Sequence, residues 1–182
     1  MKPVLLHVCC APCCAAIIEW TLAAGMHPTL FFFNPNIYPQ SEYNLRKLEL
    51  VRYATAQNVE IIDGDYCHDE WLRYVSGFED EPERGNRCLQ CFNMRLLATA
   101  RLAYERGFEK FATSLASSRW KSLEQIAIAG HWAAAHYEGV EFWEKNWRKD
   151  GLSQRRQELL KENEFYNQRY CGCEFGYKKN IL

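Results

Sequence analysis

Short apolar runs rich in β-branched and aromatic residues alternate with stretches of helical periodicity along this chain. Between the first two runs, Ile17, Ile18 and Leu22 recur at helical spacing within residues 14–24. Strands that alternate with helices in this way form a mainly parallel sheet with helices on both faces. We therefore predict a single α/β domain over residues 1–182, with strands at residues 4–8, 29–33, 59–62 and 108–114.

The predicted turns place one cysteine group at the edge of this sheet and a second at a helix start. The first strand runs directly into Cys9 and Cys10, and ligands in such folds lie beyond the carboxyl ends of the strands. The polar residues 78–87 carry Pro82 and Gly85 and predict a loop that presents Cys88 at the start of a helix.

Two further patterns predict helix starts, and a third predicts a tail. Ser41 is positioned to cap a helix that runs to Gln57, and Ser122 with Gln125 matches a capping box. From residue 143 the sequence turns charged and aromatic. We predict that residues 143–182 form a helical C-terminal extension that carries Cys171 and Cys173.

Composition limits the class of protein and its cellular location. Apolar residues make up 48% of the 182, which suits one packed domain. No apolar run approaches the roughly 20 residues that cross a bilayer, and Met1 to Pro3 lead straight into a strand, so we expect a cytoplasmic protein without a membrane partner. The net charge of −1 means that nucleic acid would need a local basic patch.

Nine cysteines are the most informative part of the composition. In a reducing compartment, metal ligation or redox catalysis explains them better than structural disulfides. Seven of the nine fall into three groups, and Cys14 and Cys67, which stand outside them, are expected to pack as small apolar residues. The groups are Cys9-Cys10-Ala11-Pro12-Cys13, Cys88-Leu89-Gln90-Cys91 and Cys171-Gly172-Cys173.

The spacing of these groups leaves more than one chemistry open. Two separated pairs can complete a four-thiolate site for zinc or for an iron-sulfur cluster. The first two groups bring at least five sulfurs to one end of the sheet, more than a closed zinc site uses, although a structural zinc with spare buried cysteines remains an alternative. Cys171 and Cys173 suit a reversible dithiol/disulfide couple, and a second metal site would also explain them.

Longer motifs make the chain resemble a known family, the cobalamin-independent epoxyqueuosine reductases. The resemblance covers nearly the whole chain in the family's order, and four segments carry it. They are His7-Val8-Cys9-Cys10-Ala11-Pro12-Cys13, Phe33-Asn34-Pro35-Asn36-Ile37-Tyr38-Pro39 with Glu42-Tyr43, Glu81-Pro82-Glu83-Arg84-Gly85 leading to Arg87-Cys88-x-x-Cys91-Phe92-x-x-Arg95-Leu96, and Tyr170-Cys171-Gly172-Cys173.

The resemblance implies a cofactor and its ligands. A [4Fe-4S] cluster would be bound by Cys9, Cys10, Cys88 and Cys91, with Cys171 and Cys173 as a redox-active pair. A single iron ion would lie beside the cluster, and Cys13 and Asp65 are its candidate ligands. The implied fold is similar to that of the nucleotide-binding pyrophosphatases (HUP-like), with cysteines in place of their phosphate loop.

The implied reaction is reduction of the epoxide of epoxyqueuosine at the wobble position of tRNA. It consumes two electrons and two protons and releases water, and the electron donor is unidentified. No proton donor stands out among the loop residues Tyr38, Asp63, Asp65 and Glu81, and His7 is expected to be a hydrogen-bonded structural residue.

One basic and aromatic stretch is the predicted tRNA contact, suited to phosphate contacts and to stacking on a displaced wobble base, with a solvated helix face as the alternative. It comprises Lys145, Trp147, Arg148, Lys149, Arg155 and Arg156. Two other classes of protein stay open: a zinc-stabilised nucleic-acid-binding module without catalysis, and a thiol-disulfide oxidoreductase that uses Cys171 and Cys173.

Overall fold

The computed structural model describes residues 3–181, apart from the side chain of residue 180. Residues 1, 2 and 182, which the domain prediction includes, lie outside this part. The strands are β1 (Pro3–His7), β2 (His27–Phe32), β3 (Ile61–Asp63), β4 (Lys110–Thr113) and β5 (Glu141–Phe142). The helices are α1 (Ala11–Ala23), α2 (Gln40–Ala56), α3 (His68–Tyr74), α4 (Asn86–Arg106), α5 (Leu123–Ala134), α6 (Leu152–Glu162) and α7 (Glu174–Asn180), and a 3-10 turn, Ser114–Ser117, follows β4.

The strands form one five-stranded sheet in the order β3-β2-β1-β4-β5, and every pair is parallel. The predicted α/β fold with a parallel sheet is therefore confirmed. The chain first moves from β1 outward to β3 and then returns past β1 to β4. Where the direction of winding reverses, the connections after β1 and β4 leave on opposite faces and open a crevice at the carboxyl edge of the sheet.

Helices cover both faces because parallel strands are joined by right-handed crossovers. On one face α1 packs against α2 and α6, and on the other α4 packs against α5. The central strands are buried on both sides, which explains why β1 and β2 read as continuous apolar runs rather than alternating ones. Helix α1 is buried along most of its length. The hydroxyl of Thr21, a buried polar side chain, donates to the carbonyl of Ile17 at 2.9 Å and is therefore hydrogen-bonded.

Several local predictions are corrected by the structure. Helix α2 begins at Gln40 with Pro39 at its N-cap, so Ser41 lies in the first turn and does not cap the helix. The predicted capping box at α5 is half formed, since Ser122 Oγ accepts from the backbone N–H of Gln125 at 3.2 Å. The Gln125 side chain instead donates to the carbonyl of Arg84 at 2.8 Å.

The short elements β5, α3 and α7 were not expected from the sequence. Strand β5 has two residues and α3 and α7 have seven each, too few for a periodic pattern to be recognised. Across residues 3–181 the structure contains no helix with the length and apolarity that a bilayer crossing requires. The prediction that residues 143–182 form an extension stays a prediction, although α6 lies against α1.

Gly130 allows α5 to approach β5 closely, and this contact yields a stability prediction. A Cβ at position 130 would come within 2.3 Å of the ring of Phe142. Gly130→Ala should therefore lower the free energy of unfolding by about 1–3 kcal/mol, measured by urea denaturation. In a Phe142→Leu background the same change should cost less than about 1 kcal/mol, because the ring it meets is gone. An equal cost in both backgrounds would contradict this contact.

Candidate functional site

Three thiols lie together where β1 ends and α1 begins. Cys9 follows the strand, Cys10 is the N-cap of α1 and Cys13 lies in its first turn. The Sγ atoms of all three lie within 4.8 Å of one another, and those of Cys9 and Cys10 are 3.7 Å apart. Ser114, from the turn after β4, accepts from the Cys9 backbone N–H at 3.2 Å. The thiols therefore lie at the crevice between β1 and β4.

The second cysteine group is presented by a tightly wrapped loop before α4. The buried Arg87 side chain donates to the carbonyls of Phe78, Glu79 and Glu81, which curls this loop around its guanidinium group. The Glu81 carboxylate accepts from the backbone and side chain of Asn86 at 3.1 and 3.0 Å. As predicted from the sequence, Cys88 comes in the first turn of the helix that follows.

All three cysteine groups meet at one cavity of about 210 Å³. Cys10 adjoins it through Cys9, and Cys91 is buried in a small apolar cluster with Cys173. All nine cysteines lie within the described residues and carry free thiols. The reversible dithiol/disulfide pair at Cys171 and Cys173 therefore stays a prediction, with both residues as free thiols in this structure. The cysteines that line the cavity are Cys9, Cys13, Cys88, Cys171 and Cys173.

Two cations face the sulfurs. The buried Arg95 donates from Nη1 to Cys91 Sγ at 3.9 Å and from Nη2 to Asn34 Oδ1 at 2.6 Å. Within the described part of the chain nothing accepts a hydrogen bond from its Nε. Burial opposes the charge on Lys121, but the negative charge that Cys171, Cys9 and Cys13 carry as thiolates outweighs it and raises the pKa of Lys121 above its ordinary value. Both residues offset negative charge on the sulfurs.

The thiols differ in how readily they ionise. Hydrogen bonds from Cys10 and Cys13 hold the pKa of Cys9 well below its usual range. Burial raises the pKa of Cys88 to about 11 and that of Cys173 to about 12. Buried thiols of this kind become thiolates when a metal supplies the compensating positive charge, so this donor set suits a metal or cluster.

A buried arginine holds the third cysteine group against α2. Arg46 is 1% exposed, pairs with Glu42 at 2.7 Å and donates to the carbonyls of Cys171 and Tyr170 at 3.3 Å each. Gly172 has φ +114°, and a Cβ there would come within 2.9 Å of Arg46 Nη1. Only glycine fits this position without strain.

Other residues singled out from the sequence lie elsewhere. Asp65 is exposed after β3 and lies outside the cavity lining, so the structure does not bring it to Cys13. The hydrogen bonds from Asn86 hold the pKa of Glu81 below its ordinary value, so this carboxylate stays ionised. Cys14 is buried in the core, as expected of a packing residue.

His7 has the structural role that was expected of it. Its ring is fully buried, and burial lowers its pKa to about 3. Nε2 donates to the carbonyl of Phe33 at 3.1 Å, which leaves Nδ1 to accept from the Thr113 hydroxyl at 2.8 Å.

Most residues of the stretch predicted to contact tRNA make contacts within the protein instead. Trp147 is 2% exposed and its Nε1 donates to the carbonyl of Thr113 at 3.1 Å, so its ring offers no face to a base, which corrects the stacking expectation. Lys145 lies 4.2 Å from the ring centroid of Trp20, and Arg155 is paired with three carboxylates. Lys149 is exposed.

Two arginines of the same stretch do reach the cavity region. Arg156 lines the cavity, and its Nε donates to the carbonyl of Pro12 at 3.0 Å. Arg148 donates to the carbonyls of Ser118 and Lys121, behind the cavity rim.

The fold and site define a class of α/β protein whose binding crevice is lined by thiols. A family model described as epoxyqueuosine reductase QueH matches residues 4–179. The chain therefore belongs to the epoxyqueuosine reductase QueH family, as its motifs indicated.

Relatives of that name extend over most of this chain. One from Acinetobacter baylyi is 47% identical over 174 residues, which are 96% of this chain and 80% of the relative. One from Haemophilus influenzae is 46% identical over 174 residues, 96% of this chain and 71% of the relative. One from Thermotoga maritima is 38% identical over 179 residues, 97% of this chain and 91% of the relative.

Sequence reasoning missed several residues that shape the site. Arg95 lies four positions after Cys91 on α4, so helical spacing alone could have placed its side chain beside that sulfur. Lys121 and Trp120 follow a strand and a 3-10 turn, where only the general rule about carboxyl ends of strands applies. Arg46 contacts residues more than 120 positions away, and no local pattern signals that contact.

The hydrogen bonds from Arg46 to the segment of the C-terminal cysteines can be tested by substitution. Arg46→Lys keeps a cation beside Glu42 but replaces the planar fork, whose three nitrogens bond Glu42 and the two carbonyls, with a single nitrogen. We expect Cys173 to be alkylated about ten-fold faster, because each lost hydrogen bond is worth roughly 1 kcal/mol of resistance to local opening. Timed alkylation without oxygen, read by mass spectrometry of each cysteine peptide, measures this rate. Arg101→Lys, on the exposed side of α4, is the control, and an unchanged rate at Cys173 in Arg46→Lys refutes the role.

Proposed function

We propose that this chain reduces the epoxide of epoxyqueuosine in tRNA to give queuosine, using a [4Fe-4S] cluster held by Cys9, Cys10, Cys88 and Cys91. One observation carries the proposal: cysteines from three distant parts of the chain reach a single cavity at the crevice between β1 and β4. The names of the family's members supply the substrate.

The donor set fits an iron-sulfur cluster better than a lone zinc ion. Five cysteines line the cavity and Cys10 and Cys91 adjoin two of them, more sulfurs than a closed tetrahedral zinc site uses. The close trio of Cys9, Cys10 and Cys13 would leave Cys13 free for a neighbouring iron ion. When bound, the cluster supplies electrons one at a time and the adjacent iron supplies a Lewis acid.

The chain's own groups meet the other requirements of the reaction. Oxidation of the Cys171 and Cys173 thiols to a disulfide releases two electrons and two protons, the number that converts an epoxide to an alkene and water. The backbone contacts of Arg46 hold this pair at the cavity. Arg95 and Lys121 offset the charge of the thiolates in a buried site.

The partners follow from this assignment. The substrate is tRNA with epoxyqueuosine at the wobble position, and a separate reductant, still unidentified, returns the thiol pair to its reduced form. Nine free thiols suit a reducing compartment, which supports a cytoplasmic location.

The ligand assignment predicts which cysteines are dispensable. In protein purified without oxygen, Cys88→Ser should abolish the brown colour, the bound iron and sulfide, and turnover, because oxygen ligates a cluster far less well than sulfur. Cys67→Ser is the matched control, since Cys67 lies outside the cavity lining and should leave all four unchanged. Turnover retained by Cys88→Ser would contradict the assignment.

The reaction itself is tested by nucleoside mass spectrometry of tRNA that carries epoxyqueuosine. The wild-type protein with a chemical reductant should convert epoxyqueuosine to queuosine. A colourless protein with one zinc, no sulfide and no conversion would instead be the nucleic-acid-binding module, and dithiol exchange that survives chelation without conversion would make it a thiol-disulfide oxidoreductase.

Arg95 gives a prediction that does not depend on turnover. Arg95→Met should lower the reduction potential of the bound cluster, because it removes a buried positive charge and a donor to Cys91, both of which favour the reduced state. Arg95→Lys, which keeps the charge, should lower it less. Redox titration followed by electron paramagnetic resonance measures the shift, with the exposed Arg101→Met as control. An unchanged potential in an iron-loaded Arg95→Met protein would disprove this role.

A further inference from the structure

We propose that Trp120 is the platform on which a base of the RNA substrate stacks when the modified nucleoside enters the cysteine-lined cavity. The inference rests on the proposed function, because it describes how the same cavity receives its substrate. Trp120 lines the cavity together with Cys9 and Cys88, yet 64% of its surface is exposed. Of the six tryptophans, all within the described residues, Trp120 is the most exposed, and it is the one that lines this cavity, where a base could stack on it.

Two arginines bond to the backbone of the loop that carries Trp120. Arg84 donates from Nε to the carbonyl of Trp120 at 2.9 Å and from Nη2 to that of Arg119 at 3.1 Å. From the other side, Arg148 donates to the carbonyls of Lys121, at 2.7 Å, and of Ser118. Because these bonds hold the loop backbone before binding, less conformational entropy is lost when a base stacks on Trp120.

Arg84 also ties this loop to the sulfur site. Its backbone N–H donates to Cys88 Sγ at 3.3 Å, and its carbonyl accepts from the side chain of Gln125 at 2.8 Å. One residue therefore bonds both to a proposed cluster ligand and to the loop beneath the indole. The position of a base on Trp120 is in this way fixed relative to the reacting centre.

The charges around the cavity favour RNA as the occupant. The whole chain has a net charge of −1. Among the described residues that line the cavity, four are basic and Glu83 alone is acidic, and beside the cavity the Arg119 guanidinium lies 4.7 Å from the Trp120 ring centroid. Single-stranded RNA loops are bound by aromatic rings that stack on bases and by cations that meet phosphates. The four basic residues are Arg84, Lys121, Arg156 and Arg169.

The experiment compares five variants of the anaerobically purified, iron-loaded protein: Trp120→Ala, Trp120→Leu, Trp120→Phe, Arg169→Ala and, as a control, Trp132→Ala. Trp132 is 38% exposed on α5 and lies outside the cavity lining. Filter binding of the epoxyqueuosine-containing tRNA gives Kd at several salt concentrations, and steady-state kinetics with dithionite give kcat and KM. Equal thermal midpoints establish that the variants are folded.

Stacking predicts a particular pattern of affinities. Trp120→Ala and Trp120→Leu should bind tRNA roughly 5- to 150-fold more weakly, whereas Trp120→Phe should keep most of the affinity and Trp132→Ala all of it. The slope of log Kd against log salt should not change in any of them. Arg169→Ala, in contrast, should reduce that slope by about 0.7 to 1, because it removes a phosphate contact. KM should rise more than kcat falls.

Three results would overturn the inference. They are an unchanged Kd in both Trp120→Ala and Trp120→Leu, an equal loss in Trp120→Phe, or slower turnover only when a protein reductant replaces dithionite, which would make Trp120 a contact for that donor. The proposed function fails separately, if the wild-type protein leaves epoxyqueuosine unchanged. The Kd series would then still decide whether RNA stacks on Trp120.

Discussion

Three cysteine groups can share one cavity because β1 and β4 lie side by side with their carboxyl ends at the same edge of the sheet. Cys9 follows β1, and the turn after β4 supplies Ser114, which contacts the backbone of Cys9. The crossover that carries α4 brings Cys88 to the same edge. If β4 paired anywhere else, the loop after it would lie away from the thiols, and the cavity would lose one wall.

Because so many thiols lie together, the negative charge of any thiolates among them must be compensated. Burial favours neutral thiols at Cys88 and Cys173, while Cys9 is stabilised as a thiolate by its neighbours. Arg95, which is buried, and Lys121, which is half-buried at the cavity, supply positive charge on the protein side. This balance is what a site for an anionic metal-thiolate group requires, since uncompensated thiolates would be costly in the interior. It also explains why basic residues gather here in a chain with almost no net charge.

Arginine serves mainly as a structural residue around this cavity. Arg46 bonds to the segment of the C-terminal cysteines, Arg87 to the loop before α4, and Arg84 and Arg148 to the loop of Trp120. In each case the guanidinium group donates to two or more backbone carbonyls. Some basic side chains that the sequence predicts as contacts for RNA phosphates are therefore hydrogen-bonded to the protein's own backbone. Arg156 and Arg169 line the cavity itself.

The sequence by itself determined the parallel α/β class, the family and the presentation of Cys88 at a helix start, because these depend on local periodicity, turn residues and short motifs. It did not determine α3, β5 or α7, whose few residues carry no periodic signal. The tertiary structure alone decided which side chains surround the cysteines. Trp147 is buried by packing against Trp20 and Trp143, while Trp120, with the same side chain, is left at the cavity rim. Burial depends on which elements meet in space, and contacts such as Arg46 with Cys171 join residues too distant in sequence for any local pattern to reveal.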